Sequence, residues 1–143
     1  MVFHAAKDGR ASSLVPEIPS REGRYSSTVE VEVTSLDAYL EGAAFEPKRI
    51  ALIKIDVEGE EERTVGGMLQ TLRSAGFPLV WCEVRGPRGS TRAPNTFAGV
   101  SRRLGELGYS AFRWRDGPQP VVPASVLNRE DILFCHPARG PKV

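Results

Sequence analysis

Cysteine, histidine, long apolar runs and any surplus of charge are what this chain has least of. Cys82 and Cys135 are its only cysteines, and each lies in an apolar, strand-like run rather than in a C-x-x-C pair. Buried, reduced thiols are therefore expected, and no oxidising context supports a disulfide. His4 and His136 are too few and too far apart in sequence for a histidine metal site, so no metal is expected. Lysine and arginine number 19 against 18 acidic residues. Such a balance provides no field to recruit nucleic acid or an anionic membrane surface. The apolar runs fall far short of the about 20 residues that span a bilayer, and the first residues lack a signal-peptide core. These absences point to a soluble, cytoplasmic protein whose partner is a small molecule.

What is present is one domain of 143 residues, long enough for a real core. Its central stretch is I-A-L-I-K-I-D-V-E-G-E, from Ile50 to Glu60. Ile50, Leu52, Ile53, Ile55 and Val57 form the nearly continuous aliphatic run expected of a strand buried on both faces of a parallel sheet. Asp56 and Glu58 stand at the end of that strand. Residues two apart project from the same strand face, so the two carboxylates are predicted to enter one crevice at the carboxyl end of the sheet. Open α/β sheets bind ligands there.

The flanking sequence predicts the elements around this strand. Met1 to Ala6 reads as a short strand running into a turn, or as a frayed terminus. Residues 12–27, with Pro16, Pro19 and Gly23, read as a mobile loop. Thr28 to Thr34 alternates Val29, Val31 and Val33 with Glu30 and Glu32. That pattern predicts a half-exposed strand at a sheet edge or paired with residues 10–14. Ser35 is placed to cap a short helix bearing Leu36, Tyr39 and Leu40, ended by Gly42. Glu60, Glu61 and Glu62 suit the first turn of a helix, where negative charge complements the dipole. Val65, Met68, Leu69 and Leu72 continue its apolar stripe to a stop at Gly76 and Pro78. Leu79 to Val84 is the next buried strand, with Glu83 near its end. A loop carrying Arg85, Arg88 and Arg92 follows, and Asn95 caps a helix bearing Phe97, Val100, Leu104 and Leu107. Tyr109 to Arg115 and Asp131 to His136 are the last strands, able to pair antiparallel at the far edge. The order of elements is that of an α/β domain.

The segment I-K-I-D-V-E-G-E-E, Ile53 to Glu61, resembles the I-K-I-D-V-E-G-x-E signature of FkbM-type methyltransferases, which use S-adenosylmethionine. Ser12 to Leu14, V-T-S-L-D at Val33 to Asp37, Glu83, Gly108 with Tyr109, and D-I-L-F at Asp131 to Phe134 match in the same order. The resemblance implies a Rossmann-like class I methyltransferase sheet, whose strands are ordered 3-2-1-4-5-7-6, and transfer of methyl to a hydroxyl of a small molecule or sugar. It also implies that the strand holding Ala5 and Ala6 walls the adenine side of the cofactor, and that Asp56 serves the cofactor.

Methyl transfer needs a nucleophile held in line, and a neutral hydroxyl gains from a base within hydrogen-bond reach. Asp56, Glu58 and Glu83 are the candidates, and a carboxylate also favours the sulfonium and the amino group of the cofactor. The residues themselves do not divide these tasks. The plain alternative is that the acids cap helices or shape loops. Lys54 reads as an ion-pair partner or a snorkelling residue, and the loop arginines as solvated or as a hold for an anionic substrate. A D-x-E at a strand end also resembles the acid pair of barrel glycosidases, but such barrels take roughly 250 residues. A non-catalytic remnant that binds a partner is the other alternative.

Methyltransferases of this fold grip the cofactor with a glycine-rich loop after the first strand and an acid ending the second. No G-x-G follows an apolar strand in this chain. The expectation is therefore a partial sheet, truncated at its N-terminal side and lacking the first two strands. The strand at Ile50 to Val57 is then an edge, which invites self-association, and S-adenosylmethionine binds weakly or not at all.

Overall fold

The computed structural model describes residues 1–6, 12, 14, 25–87 and 95–139. Among these, β1 (Val2–Ala6) and β2 (Tyr25–Glu30) form an antiparallel two-stranded sheet with Val2 opposite Glu30. Met1 and Val31 extend its ladder with two reciprocal bonds of 2.8 Å. The strand predicted from Thr28 to Thr34 thus begins and ends earlier, and its partner is Val2–Ala6 rather than residues 10–14, of which only Ser12 and Leu14 are described. Among the described residues no layer buries the valine face, and Val29 and Val33 remain 51% and 54% exposed. Of the loop expected over residues 12–27, residues 25–27 belong to β2 and most of the remainder lies outside the described residues.

The main sheet has five strands in the order β3-β4-β7-β5-β6. These are β3 (Leu52–Ile55), β4 (Leu79–Arg85), β5 (Ser110–Trp114), β6 (Pro118–Pro120) and β7 (Arg129–Cys135). β3 and β4 run parallel, and every other pair is antiparallel. β5 and β7 pair as expected, but β7 lies between β4 and β5, and β6 forms the far edge. The core sits on one face, where Val80, Cys82 and Val84 of β4 and Ile132 and Phe134 of β7 meet the helices. These are α2 (Glu61–Gly66), which brings Val65, and α4 (Thr96–Gly105), which brings Phe97, Val100 and Leu104. Asn95 caps α4 as read, its side chain accepting from the Ala98 amide at 3.3 Å.

β3 differs from its expected form. It stands at the sheet edge, as the reading without the first two strands expects, but it is only four residues long and just one of its faces meets the core. Ile55 is 2% exposed against the core, whereas Leu52 on the other face is 54% exposed. The aliphatic run therefore marks an edge strand buried on one face only.

The single helix read from Glu60 to Leu72 is also two. α2 ends at Gly66, and α3 (Leu69–Ser74) starts afresh. The interruption has a partner in α1 (Leu36–Gly42), which Ser35 caps through a 3.0 Å bond from the Ala38 amide. Asp37 of α1 accepts from the amides of Gln70 and Thr71 at 3.1 and 2.7 Å and from the Thr71 hydroxyl at 2.6 Å, so it caps α3 from 34 positions away. The Asp37 amide in turn donates to the Gly67 carbonyl at 3.0 Å. A side chain at Gly67 would begin 3.0 Å from Cβ of Ser35, so the glycine lets α1 approach without a shift of Ser35. Glu62 ties the other end of this layer to α4 through Arg102 and Arg103 at 3.0 and 3.2 Å.

Candidate functional site

The parallel register sets Ile55 beside Cys82, so Asp56, the first residue past β3, comes beside Glu83, which is still within β4. They point away from the core, on the face that also carries Lys54 and Trp81. Glu58 joins them by a different route. Its φ of +53° and the +116° of Gly59 make a tight turn after β3, a left-handed backbone that costs a non-glycine residue about 1 kcal/mol or more. The turn is closed by the Gly59 amide, which donates to Oε1 of Glu61 at 2.9 Å. Glu61 is buried at 1% exposure. The sequence marked it only as a dipole charge.

One oxygen each of Asp56, Glu58 and Glu83 lie within 4.8 Å of one another. Two carboxylates at that spacing repel by on the order of 3 kcal/mol at an effective dielectric near 20. Two arginines offset this. Nη2 of Arg85 reaches Oε2 of Glu58 at 2.5 Å. Nη2 of Arg129 reaches Oε1 of Glu58 at 3.1 Å and Oε1 of Glu83 at 2.6 Å. The bond to Glu83, with the nearby charge of Glu58, raises the Arg129 pKa despite some burial. Asp56 is exposed and makes no hydrogen bond or ion pair among the described residues.

Lys54 is an ion-pair partner, donating to Oδ1 of Asp131 at 2.7 Å, and the Trp81 indole N–H reaches the same oxygen at 3.1 Å. Burial alone would lower the Lys54 pKa, but Asp131, Asp56 and Glu83 outweigh it and the value is raised. Arg85, read as part of a loop, is the last residue of β4. Its amide donates to the Thr96 hydroxyl at 3.0 Å, which anchors it against the start of α4. Arg88 and Arg92 lie outside the described residues.

A cleft of about 560 Å³ opens beside β3, within the ordinary range of small-molecule sites. Ile55 and Val57, the residues on either side of Asp56, line it, with Tyr39, Ile53 and Met68 adding apolar surface and Glu60 and Arg63 charge. Ala5 and Ala6 are in β1 and are not part of its lining, whereas Met1, at the start of the same segment, is. The structure therefore gathers the three acids read from the sequence, but they do not open into this cleft as expected: neither they nor the two alanines line it, because Asp56 and Glu83 project from the sheet face opposite Ile55. Arg129 and Asp131 were not singled out as site residues, because only the pairing of β4 with β7 brings them to Glu83 and Arg85.

The family model of the methyltransferase FkbM domain matches residues 3–111, about three quarters of the chain. The chain belongs to the FkbM methyltransferase family. Searches of curated proteins and of solved structures return no significant match. The matched segment of this FkbM domain holds Asp56, Glu58, Glu83 and Arg85, and it ends inside β5. Arg129 and Asp131 lie beyond it.

Proposed function

We propose that the chain is an S-adenosylmethionine-dependent methyltransferase of the FkbM type that carries a methyl group to a hydroxyl of a small molecule or sugar. The observation that carries this reading is the unequal state of the three acids. Glu58 and Glu83 are paired with arginines, and Asp56 is exposed and unpaired among the described residues, between two residues that line a cleft of ligand size. A carboxylate so placed is able to accept a proton from a hydroxyl, as general bases do.

The residues present fit the methionine end of the cofactor. Carboxylates suit its sulfonium and ammonium charges, and the apolar wall of Ile53, Val57 and Met68, in the neighbouring cleft, suits its uncharged parts. When bound, the cofactor supplies the methyl group. Asp56, without an ion pair among the described residues, provides negative charge and takes the proton of the acceptor. The strand order β3-β4-β7-β5 supports a partial Rossmann-like sheet corresponding to strands 4-5-7-6 of the class I order, without the first two strands. Two free, buried cysteines are consistent with a reducing, cytoplasmic location.

The test is transfer of labelled methyl from millimolar S-adenosylmethionine to a panel of hydroxylated acceptors by the purified chain. Transfer to an acceptor hydroxyl supports the reading. No transfer and no calorimetric binding of the cofactor would favour a methyltransferase-fold remnant that acts as a binding module.

A further inference from the structure

Resting on the methyltransferase reading, we propose that Arg129 is a positioning residue of this site, one that holds Glu58 and Glu83 together and so leaves Asp56 as the carboxylate able to turn to the acceptor. Arg129 belongs to β7, outside the segment the family model covers. It stands opposite Arg85 in the register of β4 and β7. Two guanidiniums side by side repel, and two carboxylates side by side repel as well. The arrangement holds because the charges interleave. Among the described residues, Arg129 alone bridges two of the three acids, at 3.1 and 2.6 Å, whereas Arg85 reaches only Glu58.

The two arginines are held differently. The Arg85 side chain is 9% exposed and that of Arg129 is 45% exposed. Arg85 is thus built into the fold, and Arg129 closes the cluster from the solvent side. Among the described residues, the charged groups of the cluster are Lys54 and Asp56 from β3 and its end, Glu58 from the turn, Glu83 and Arg85 from β4, and Asp131 beside Arg129 on β7. Of these, four acids face three cations. Without Arg129, Lys54 remains committed to Asp131, and Glu83 loses its ion-pair partner among the described residues. Glu83 and Asp56 then compete for the same cationic ligand. A planar guanidinium bridges two carboxylates in a fixed geometry that an ammonium keeps only in charge.

The experiment compares Arg129→Gln and Arg129→Lys with the wild-type chain, with folding checked by circular dichroism. Carbon-13 carboxyl spectra by NMR are read alongside methyl-transfer kinetics. In Arg129→Gln the carboxyl resonances of Glu58 and Glu83 should move, because both lose an ion-pair partner, and that of Asp56 should move less. The kcat should fall by on the order of 10²-fold, the effect of a small misplacement of reacting groups, with a smaller change in KM. Arg129→Lys should recover part of the rate. Unmoved Glu58 and Glu83 resonances in Arg129→Gln would overturn the clamp. An unchanged kcat in Arg129→Gln would overturn its role in the reaction. Absence of transfer by the wild-type chain would remove the methyltransferase reading itself, with the carboxyl resonances still deciding the clamp.

Discussion

Asp37→Ala should be among the most damaging single substitutions outside the core, although Asp37 belongs to a seven-residue helix with no buried residue. The carboxylate accepts three hydrogen bonds at the start of α3, two of them from Thr71, which is 4% exposed. Loss of a helix cap costs about 1 kcal/mol. Stranding the amide and hydroxyl of a buried threonine adds about 1–3 kcal/mol. The Gln70 amide is at an exposed position and can turn to water. The sum is a loss of about 2–4 kcal/mol, a large part of the 5–15 kcal/mol that holds a typical domain together. Urea unfolding should show the midpoint falling with an unchanged slope, and amide exchange at Gln70 and Thr71 should accelerate. Asp37→Asn, which keeps one acceptor oxygen, should lose about half as much. A loss below about 0.5 kcal/mol, with the Thr71 amide still protected, would refute the reasoning that Asp37 sets the break between α2 and α3.

Other outcomes follow from the same contacts. Tyr109→Phe removes the buried hydroxyl that donates to the Pro78 carbonyl at 2.8 Å and should cost about 1–2 kcal/mol in urea unfolding. Burial raises the pKa of Cys82 and of Tyr109 above their ordinary 9.0 and 10.0. The folded chain then keeps protons that the unfolded chain releases. Stability should be complete below about pH 9 and decline as pH rises toward the raised values. A urea midpoint constant from pH 7 to 10.5, or one unaffected by Cys82→Ala, would contradict this. β3 is a sheet edge with Leu52 54% exposed, so light scattering should show the chain associating, and Leu52→Lys should reduce it, since charge on an edge strand opposes pairing. A monomer at every concentration would contradict that expectation.

What could be read from the sequence was mostly local. Ser35 and Asn95 are caps because the residues that follow them turn at once into helices, and the aliphatic run before Asp56 declares a strand without help from elsewhere. The errors arise where distant residues decide. Nothing near Gly67 announces that Asp37 will cap a new helix there, so the apolar stripe of Val65 to Leu72 reads as continuous. The alternation of Val29, Val31 and Val33 is real, but alternation alone does not show whether a second layer exists to bury one face. The acids of the site were legible because they lie within a few residues of one strand end and its parallel neighbour. Arg129 was not, because its approach to Glu83 depends on the register of β4 with β7, a pairing across 46 positions. The positive φ of Glu58 was hidden for a related reason: the ion pairs that hold it come from β4 and β7.

The account stands most directly on the difference between Asp56 and the two clamped glutamates. Transfer of labelled methyl from millimolar S-adenosylmethionine, measured for Asp56→Asn beside the wild-type chain, tests that difference. Asp56 is exposed and unpaired among the described residues, so the substitution should change stability by no more than about 0.5 kcal/mol. The rate should nevertheless fall by about 10²- to 10⁴-fold, as expected for loss of a general base. A stable Asp56→Asn variant that transfers methyl at the wild-type rate would contradict the account.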